Sequence, residues 1–307
     1  MQRSLVIYSS SVKSHLTRLQ KKKVFETEFY LEILGDESDK SITTYLRLVD
    51  FLMEQGFQKG DLLIAIGGGA LLDLVGFVAS TFMRGVEVVF IPTTLLAMVD
   101  ASIGGKNGIN HEKMKNCLGT IYLPKETVID LEFLETLPLD QMLSGFVEMV
   151  KIAAIENGPF LSSLTFPPTS AMIEKARKIK EAFVKQDLQE KGVRALLNFG
   201  HTIGHALEVL SDYKMLHGQA VQHGIKVEMR LLNLDLDWID EIEKKLPWSI
   251  PIPQVDLLKL RQVLLTDKKN RGGKVGVSNI HQHQGVDFVR FFEVDELLIA
   301  YEKVLSS

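Results

Sequence analysis

The chain has 307 residues, long for one core, because single cores stop growing at about 250 to 300 residues, and two domains are therefore expected. With 46% hydrophobic and 24% charged residues it lies in the ordinary globular range, which argues against both a disordered chain and a membrane-embedded one. A formal net charge of -4 argues against a general polyanion binder, so nucleic acid is not an expected partner, while a local pocket for a small phosphate stays compatible with that sum.

Leu5 to Tyr8 form an apolar run too short for a signal-peptide core and predict a first strand. Cys117 is the sole cysteine, so no intrachain disulfide can form and a reducing, cytoplasmic setting is expected. Spacing predicts a helix over Val12 to Gln20, a strand over Phe29 to Leu34 and a helix over Ser41 to Gln55. A strand at Leu62 to Ile66, a helix after the glycines and a strand at Val86 to Ile91 continue the rhythm, which predicts a parallel sheet covered on both faces. The most apolar stretch, Leu62 to Phe82, is interrupted by Gly67, Gly68, Gly69 and Asp73, so a membrane-spanning helix is not expected. Ala101 to Gly119 is glycine-rich and polar and reads as an ordered functional loop. Beyond Pro138 nearly everything from Asp140 to Leu246 can be drawn as helices, which sets the domains at 1–138 and 139–307. Phe166 to Thr169 mark a turn, and Pro247, Pro251 and Pro253 an irregular connection before a last helical section.

Gly67-Gly68-Gly69 stand between a strand end and a helix start, where bare backbone N–H groups and the positive helix end suit a pyrophosphate; a tight turn would look the same. Thr93 and Thr94 fall at the carboxyl end of the next strand, as ligand contacts or as helix caps. Asp100, Lys106, Asn107, Lys115 and Asn116 suit an anionic, oxygen-rich ligand, although a solvated loop would carry them too, and Arg84 beside Gly85 reads as surface. Glu148 and Lys151, three apart, share a helix face bordered by apolar residues. His201, His205 and His217 cluster, and Glu148 with two of them would make a His₂Glu metal site with open positions; spacing leaves open which two. His15, His111, His223, His281 and His283 receive no role, and Cys117 reads as packing.

The segments Gly67 to Phe77, Arg84-Gly85, Ile91 to Ala97, Val99 to Lys106, Lys115-Asn116, Glu148 to Lys151 and Leu197 to His205 together resemble 3-dehydroquinate synthases in order and spacing. The resemblance implies a Rossmann-like α/β NAD-binding domain followed by an all-α metal- and substrate-binding domain. It implies metal ligands Glu148, His201 and His217 for zinc or cobalt. It places Arg84, Asp100, Lys106, Lys115, Asn116, Lys151, Arg194, Asn198 and His205 at a sugar-acid phosphate substrate, with Lys180 and Glu190. For NAD it implies Gly68, Gly69, Asp73, Thr93, Thr94, Leu96, Phe133 and Thr136, with Lys106 and Lys115 shared. Gly35 to Lys40 is a loose version of the family's Gly-Glu-x-x-Lys element, so Glu37 and Lys40 are expected near the cofactor, and Asp267-Lys268-Lys269 looks like its phosphate-end lysine motif. The implied reaction turns 3-deoxy-D-arabino-heptulosonate 7-phosphate into 3-dehydroquinate and phosphate in the shikimate pathway, by a homodimer. The rival readings are a sister sugar-phosphate cyclase, a metal-dependent polyol dehydrogenase and a metal-stabilised interaction domain.

Overall fold

The β-branched run near the amino terminus forms β1 (Ser4–Ser9), which pairs in parallel with β2 (Phe29–Ile33) on one side and β3 (Leu62–Gly67) on the other. Residues 2–112, 114–247, 253–267, 269–280 and 287–306 are described by this computed structural model, and the chain divides into two compact units, Met1–Pro138 and Leu139–Ser307. In the first unit β1 leads through a 3₁₀ turn, Ser10–His15, into α1 (Leu16–Lys21), and β2 leads into α2 (Ile42–Glu54). The expected single helix over Val12 to Gln20 is thus two short pieces. Then follow β3, α3 (Gly69–Thr81), β4 (Glu87–Pro92) and a π-helical turn, Ala97–Ala101. A hairpin of β5 (Lys106–His111) and β6 (Met114–Ile121), the edge strand β7 (Glu126–Thr127) and a 3₁₀ turn, Leu131–Thr136, complete the unit.

The five-stranded sheet has the order β2-β1-β3-β4-β7, all parallel. Alternate residues face opposite layers, as the strand period requires. Leu5, Ile7, Leu63 and Ala65 pack with α2 and α3, whereas Val6, Tyr8, Ile64 and Ile66 pack with Leu19 and Phe133.

The expected loop over Ala101 to Gly119 is mostly hairpin. Gly108 pairs with Gly119, and a Cβ on Gly119 would lie 2.7 Å from the Asn107 carbonyl oxygen, so these glycines serve close strand approach rather than loop freedom. The Asn107 amide donates to the carbonyls of Gly105 and Tyr122, both at 2.8 Å, and closes the hairpin base.

The second unit begins with α4 (Leu139–Glu156), buried without a break from Leu143 to Ile155 and hence apolar nearly all round. It continues with α5 (Phe160–Ser163), α6 (Ser170–Gln186), a 3₁₀ turn, Val193–Asn198, α7 (His201–Leu210), α8 (His217–Leu231) and α9 (Asp237–Lys245). After α10 (Leu257–Leu265), an antiparallel hairpin of β8 (Val275–Ser278) and β9 (Val289–Phe292) precedes α11 (Val294–Leu305). The unit is therefore largely helical rather than all-α; Val275-Gly276-Val277 and Val289 to Phe292 alternate as strands do. Pro251, Lys268, His281 and His283 lie outside the described residues. Among the described residues no helix is long and apolar enough to cross a membrane.

Candidate active site

Glu148 and Lys151 lie on adjoining turns of α4, 0% and 1% exposed, with the ammonium against Glu148 Oε2. The other oxygen, Oε1, faces His217 Nε2 at 3.4 Å and His201 Nε2 at 3.7 Å. Both carboxylate oxygens are buried without a hydrogen-bond partner. One ligand atom from each of Glu148, His201 and His217 lies within 4.8 Å of the others, a donor set suited to a divalent transition cation.

Local structure aims each of these donor groups. Gly200, at φ 79, turns the chain so that α7 opens on His201, whose Nδ1 stands 3.1 Å from the Phe199 carbonyl oxygen, leaving Nε2 toward Glu148. His217 opens α8, where the Gly218 amide donates to Ser144 Oγ at 2.8 Å, and Ser144 is one helical turn before Glu148. A Cβ on Gly224 would come within 1.8 Å of the Gly200 carbonyl oxygen, so bare backbone is what lets α7 and α8 close up. Burial alone would raise the Glu148 carboxyl, but the Lys151 ammonium and His217 overcome it and hold it down to about 2. Burial would depress His217, yet the Glu148 and Glu208 carboxylates facing its two ring nitrogens push it upward. Burial first, then the Lys151 charge, holds His201 well below the ordinary imidazole range. The carboxylates thus favour a positive charge at this point, whether a proton or a metal ion brings it.

His205 is exposed, its ring 5.1 Å from that of His201. Asp187 ends α6 and accepts the amides of Gly192 at 2.7 Å, Lys191 at 2.9 Å and Arg194 at 3.1 Å, which organises the loop carrying Glu190 and Arg194. Arg194 is buried and donates to the Leu188 carbonyl at 2.8 Å, and the Asn198 amide donates to Glu190 Oε1. Lys180 is buried on α6.

The sequence reading missed two carboxylates. Glu208 is the next polar residue on the His201–His205 side of α7, a spacing that could have revealed it, and its Oε2 lies 3.5 Å from His217 Nδ1. Glu228, 0% exposed on α8, had no such signal: it accepts the amides of Gly200 at 2.8 Å, Thr202 at 3.0 Å and Ile203 at 3.4 Å and so caps α7. Lys269 Nζ donates to Thr202 Oγ1 at 2.7 Å on the same turn.

In the first unit Gly68 caps α3, and Cβ atoms on Gly68 and Gly69 would meet Thr94 Cγ2 at 3.3 Å and Ala101 Cβ at 3.0 Å. The Thr93 amide donates to the Gly67 carbonyl at 3.0 Å, and Thr94 Oγ1 accepts the Ala97 amide at 3.1 Å, which is the capping role. Leu96 precedes the π-helical turn and Asp100 lies within it, both half-buried. Lys40, 3% exposed, donates to Asp73 Oδ2 at 2.7 Å and to Asn116 Oδ1, with Glu37 Oε1 4.0 Å from its ammonium. Glu37, Lys40, Asp73 and Asn116 are therefore one cluster. Lys106 is exposed at the start of β5 and Lys115 half-buried on β6. Arg84 is exposed at φ 60, directly after Met83 at φ 49. Phe133 packs into the layer on the sheet face opposite α3, under the His15 ring at 5.0 Å, and Thr136 Oγ1 lies 3.0 Å from His15 Nε2.

Among solved structures the chain is similar to a 2-epi-5-epi-valiolone synthase from Streptomyces hygroscopicus subsp. jinggangensis with NAD+ and Zn2+ bound, at a TM-score of 0.82 and 26% identity over 99% of this chain and 91% of that one. A 2-deoxy-scyllo-inosose synthase complexed with carbaglucose-6-phosphate, NAD+ and Co2+ shares the fold at a TM-score of 0.86 and 21% identity, over 99% and 91% of the two chains. The architecture is thus that of the sugar phosphate cyclases. A family model described as 3-dehydroquinate synthase N-terminal matches residues 30–144, and one described as 3-dehydroquinate synthase C-terminal matches residues 145–270. The 3-dehydroquinate synthase of Sulfurisphaera tokodaii is 40% identical over 288 residues, 87% of this chain and 79% of that protein. That of Pyrococcus furiosus is 41% identical over 249 residues, 78% and 74% of the two. The chain belongs to the 3-dehydroquinate synthase family.

Proposed function

We propose that this chain is a 3-dehydroquinate synthase, an NAD- and metal-dependent lyase of the shikimate pathway that converts 3-deoxy-D-arabino-heptulosonate 7-phosphate to 3-dehydroquinate and phosphate. The observation that carries this reading is Glu148, a fully buried carboxylate with both oxygens lacking hydrogen bonds, on which two imidazoles converge. One ammonium, Lys151, balances this buried carboxylate on one side while its other oxygen faces the two imidazoles, and the donor set fits zinc or cobalt held by Glu148, His201 and His217. The relatives' names and the NAD+ and metal in the valiolone synthase structure support the same assignment.

When bound, the metal supplies Lewis acidity toward substrate oxygens and NAD a reversible hydride acceptor. The chain's own groups do the positioning. Lys151 holds an ammonium beside Glu148 where negative charge develops on the substrate. Glu190 accepts one side of the Asn198 amide and leaves its oxygen for a substrate hydroxyl, while Arg194, Lys180 and His205 serve the same ligand. Lys269, braced on Thr202, suits the phosphate end. In the first unit, read as the NAD-binding domain, the bare backbone at Gly68 and Gly69 admits a pyrophosphate to the opening of α3. Glu37, Lys40 and Asp73, with Thr93, Thr94, Leu96, Phe133 and Thr136, serve the rest of NAD. Arg84, Asp100, Lys106, Lys115 and Asn116 serve substrate anion and hydroxyl groups, the two lysines also serving the cofactor. A cytoplasmic homodimer completes the reading.

The test is inorganic phosphate release from the heptulosonate phosphate by purified protein, with and without NAD, and after chelation and zinc or cobalt re-addition. Release that needs both, without net NADH, is the expected result. Folded, metal-loaded protein that releases no phosphate would refute the substrate assignment and turn attention to sister cyclase substrates.

A further inference from the structure

His201, His205 and Glu208 follow one another along α7 at spacings of four and three, which sets them on successive turns of one side. The chain then reverses within residues 211–216. The Tyr213 amide donates to the Glu208 carbonyl at 2.8 Å, the Met215 amide to Ser211 Oγ at 3.3 Å and the Leu216 amide to Gln219 Oε1 at 3.1 Å. This compact turn starts α8 at His217 and lays its ring against α7, 5.2 Å from the ring of His201.

The His217 imidazole consequently stands between two carboxylates. Its Nε2 faces Glu148 Oε1 at 3.4 Å and its Nδ1 faces Glu208 Oε2 at 3.5 Å, the Glu148 and Glu208 side chains being 0% and 8% exposed. A neutral imidazole has one N–H. With that hydrogen on Nδ1 and donated to Glu208, the lone pair of Nε2 points to the place where Glu148 and His201 converge, the tautomer a metal ligand requires.

We propose that Glu208 is a positioning residue of the metal centre, accepting the Nδ1 hydrogen of His217 and thereby setting the tautomer and ring plane with which Nε2 meets the metal. The proposal rests on the reading of Glu148, His201 and His217 as the ligands. The same residues allow one competing geometry, because ligand atoms of His205, Glu208 and His217 also lie within 4.8 Å of one another. In that case Glu208 would be a ligand of a second ion bridged through His217. Stoichiometry separates the two.

The experiment loads the metal-free full chain with Co2+ and reads ions bound per chain, affinity by chelator competition, and the visible absorption of the bound ion. The wild type should bind one Co2+. Glu208→Ala should bind it about 10- to 100-fold more weakly with a shifted absorption band. Glu208→Gln, whose amide oxygen still accepts from Nδ1, should recover most of that loss, a rescue that mere side-chain packing would not predict for affinity and spectrum together. Should Glu208→Ala fail to fold by circular dichroism, Glu208→Asp, which retains the carboxylate but withdraws it, carries the test and should weaken affinity. Unchanged affinity and spectrum in the folded variant overturn the proposal, as do two ions per wild-type chain with one lost in the variant. His201→Ala is the control: if it retains wild-type Co2+ affinity, the ligand assignment itself fails, whereas loss there with no effect at Glu208 removes only the positioning role.

Discussion

A Cβ on Gly218 would lie 2.4 Å from Ser144 Cα and 2.6 Å from its carbonyl oxygen, so Gly218→Ala must push α8 off α4 rather than turn a side chain aside. Overpacking of this kind costs about 1 to 3 kcal/mol, to be read as a lowered thermal midpoint. Because the same displacement draws His217 away from Glu148, Co2+ affinity should fall with it, and a variant with unchanged midpoint and affinity would show that the two helices are not held at this point. Lys151→Met should behave differently. The Glu148, His201 and His217 donor groups stay in place and a bound Co2+ replaces the lost ammonium as counter-charge to Glu148, so the Co2+-loaded variant should fold while turnover drops by about 100-fold or more, the size of effect seen when one preorganised charge-stabilising group is removed. Wild-type kcat would take Lys151 out of the site. The residue types of the centre were legible in the sequence, since Glu148, Lys151 and three clustered histidines are unusual company. Which two imidazoles converge on Glu148 was not legible from spacing, because the return of the chain over residues 211–216 decides it. Glu228 was not legible either: its partners are the amides of Gly200, Thr202 and Ile203, and no sequence pattern pairs a helix-borne glutamate with backbone some 25 residues away.

At the scale of elements, the hairpin of β5 and β6 depends on one amide. Asn107 satisfies two carbonyls, and its Oδ1 occupies the place where a Cβ on Gly76 of α3 would fall, at 1.9 Å. Asn107→Ala would leave the Gly105 and Tyr122 carbonyls without those donors and open a gap over α3. A loss of about 1 to 3 kcal/mol is expected in denaturant unfolding, with faster amide exchange confined to residues 105–122. Exchange that rises uniformly over the first unit instead would mean that the hairpin has no separate stability. The strands of the sheet were readable because buried parallel strands are nearly continuous apolar runs, as Leu62 to Gly67 shows. The hairpin was not, because Gly108, Gly119 and Asn107 carry loop-like composition while serving close strand approach. Likewise the pairing of β8 with β9 joins segments that local periodicity does not connect, in a domain the resemblance implies to be all-α.

Across the whole molecule, two buried groups set opposing pH dependences of stability. His223 is 1% exposed with both ring nitrogens lacking hydrogen-bond partners, and burial, aided by the Lys226 charge, pushes it down to about 4 from 6.5. Between those values the unfolded chain binds the proton and the folded chain does not, so this contribution is full above about 6.5 and is lost as pH falls toward 4. Glu228 runs the other way: burial raises it from 4.5 to about 7, against the Lys269 charge and the amides of α7. Here the folded chain keeps the proton longer, so the contribution is full below 4.5 and lost as pH rises through about 7. Each shift is on the order of 3 kcal/mol, and the windows overlap from about 4.5 to 6.5, so in the wild type the two slopes nearly cancel there. Removing one should expose the other. In urea unfolding of metal-free protein across this range, His223→Leu should become less stable with rising pH, and Glu228→Gln more stable, each relative to its own value at the acid end. If both variants track the wild-type profile, neither group carries its charge state into folding; the Glu148–His217 pair does not act in this range, because its depressed carboxyl loses stability only as pH falls from 4.5 toward 2 and its raised imidazole only as pH rises above 6.5.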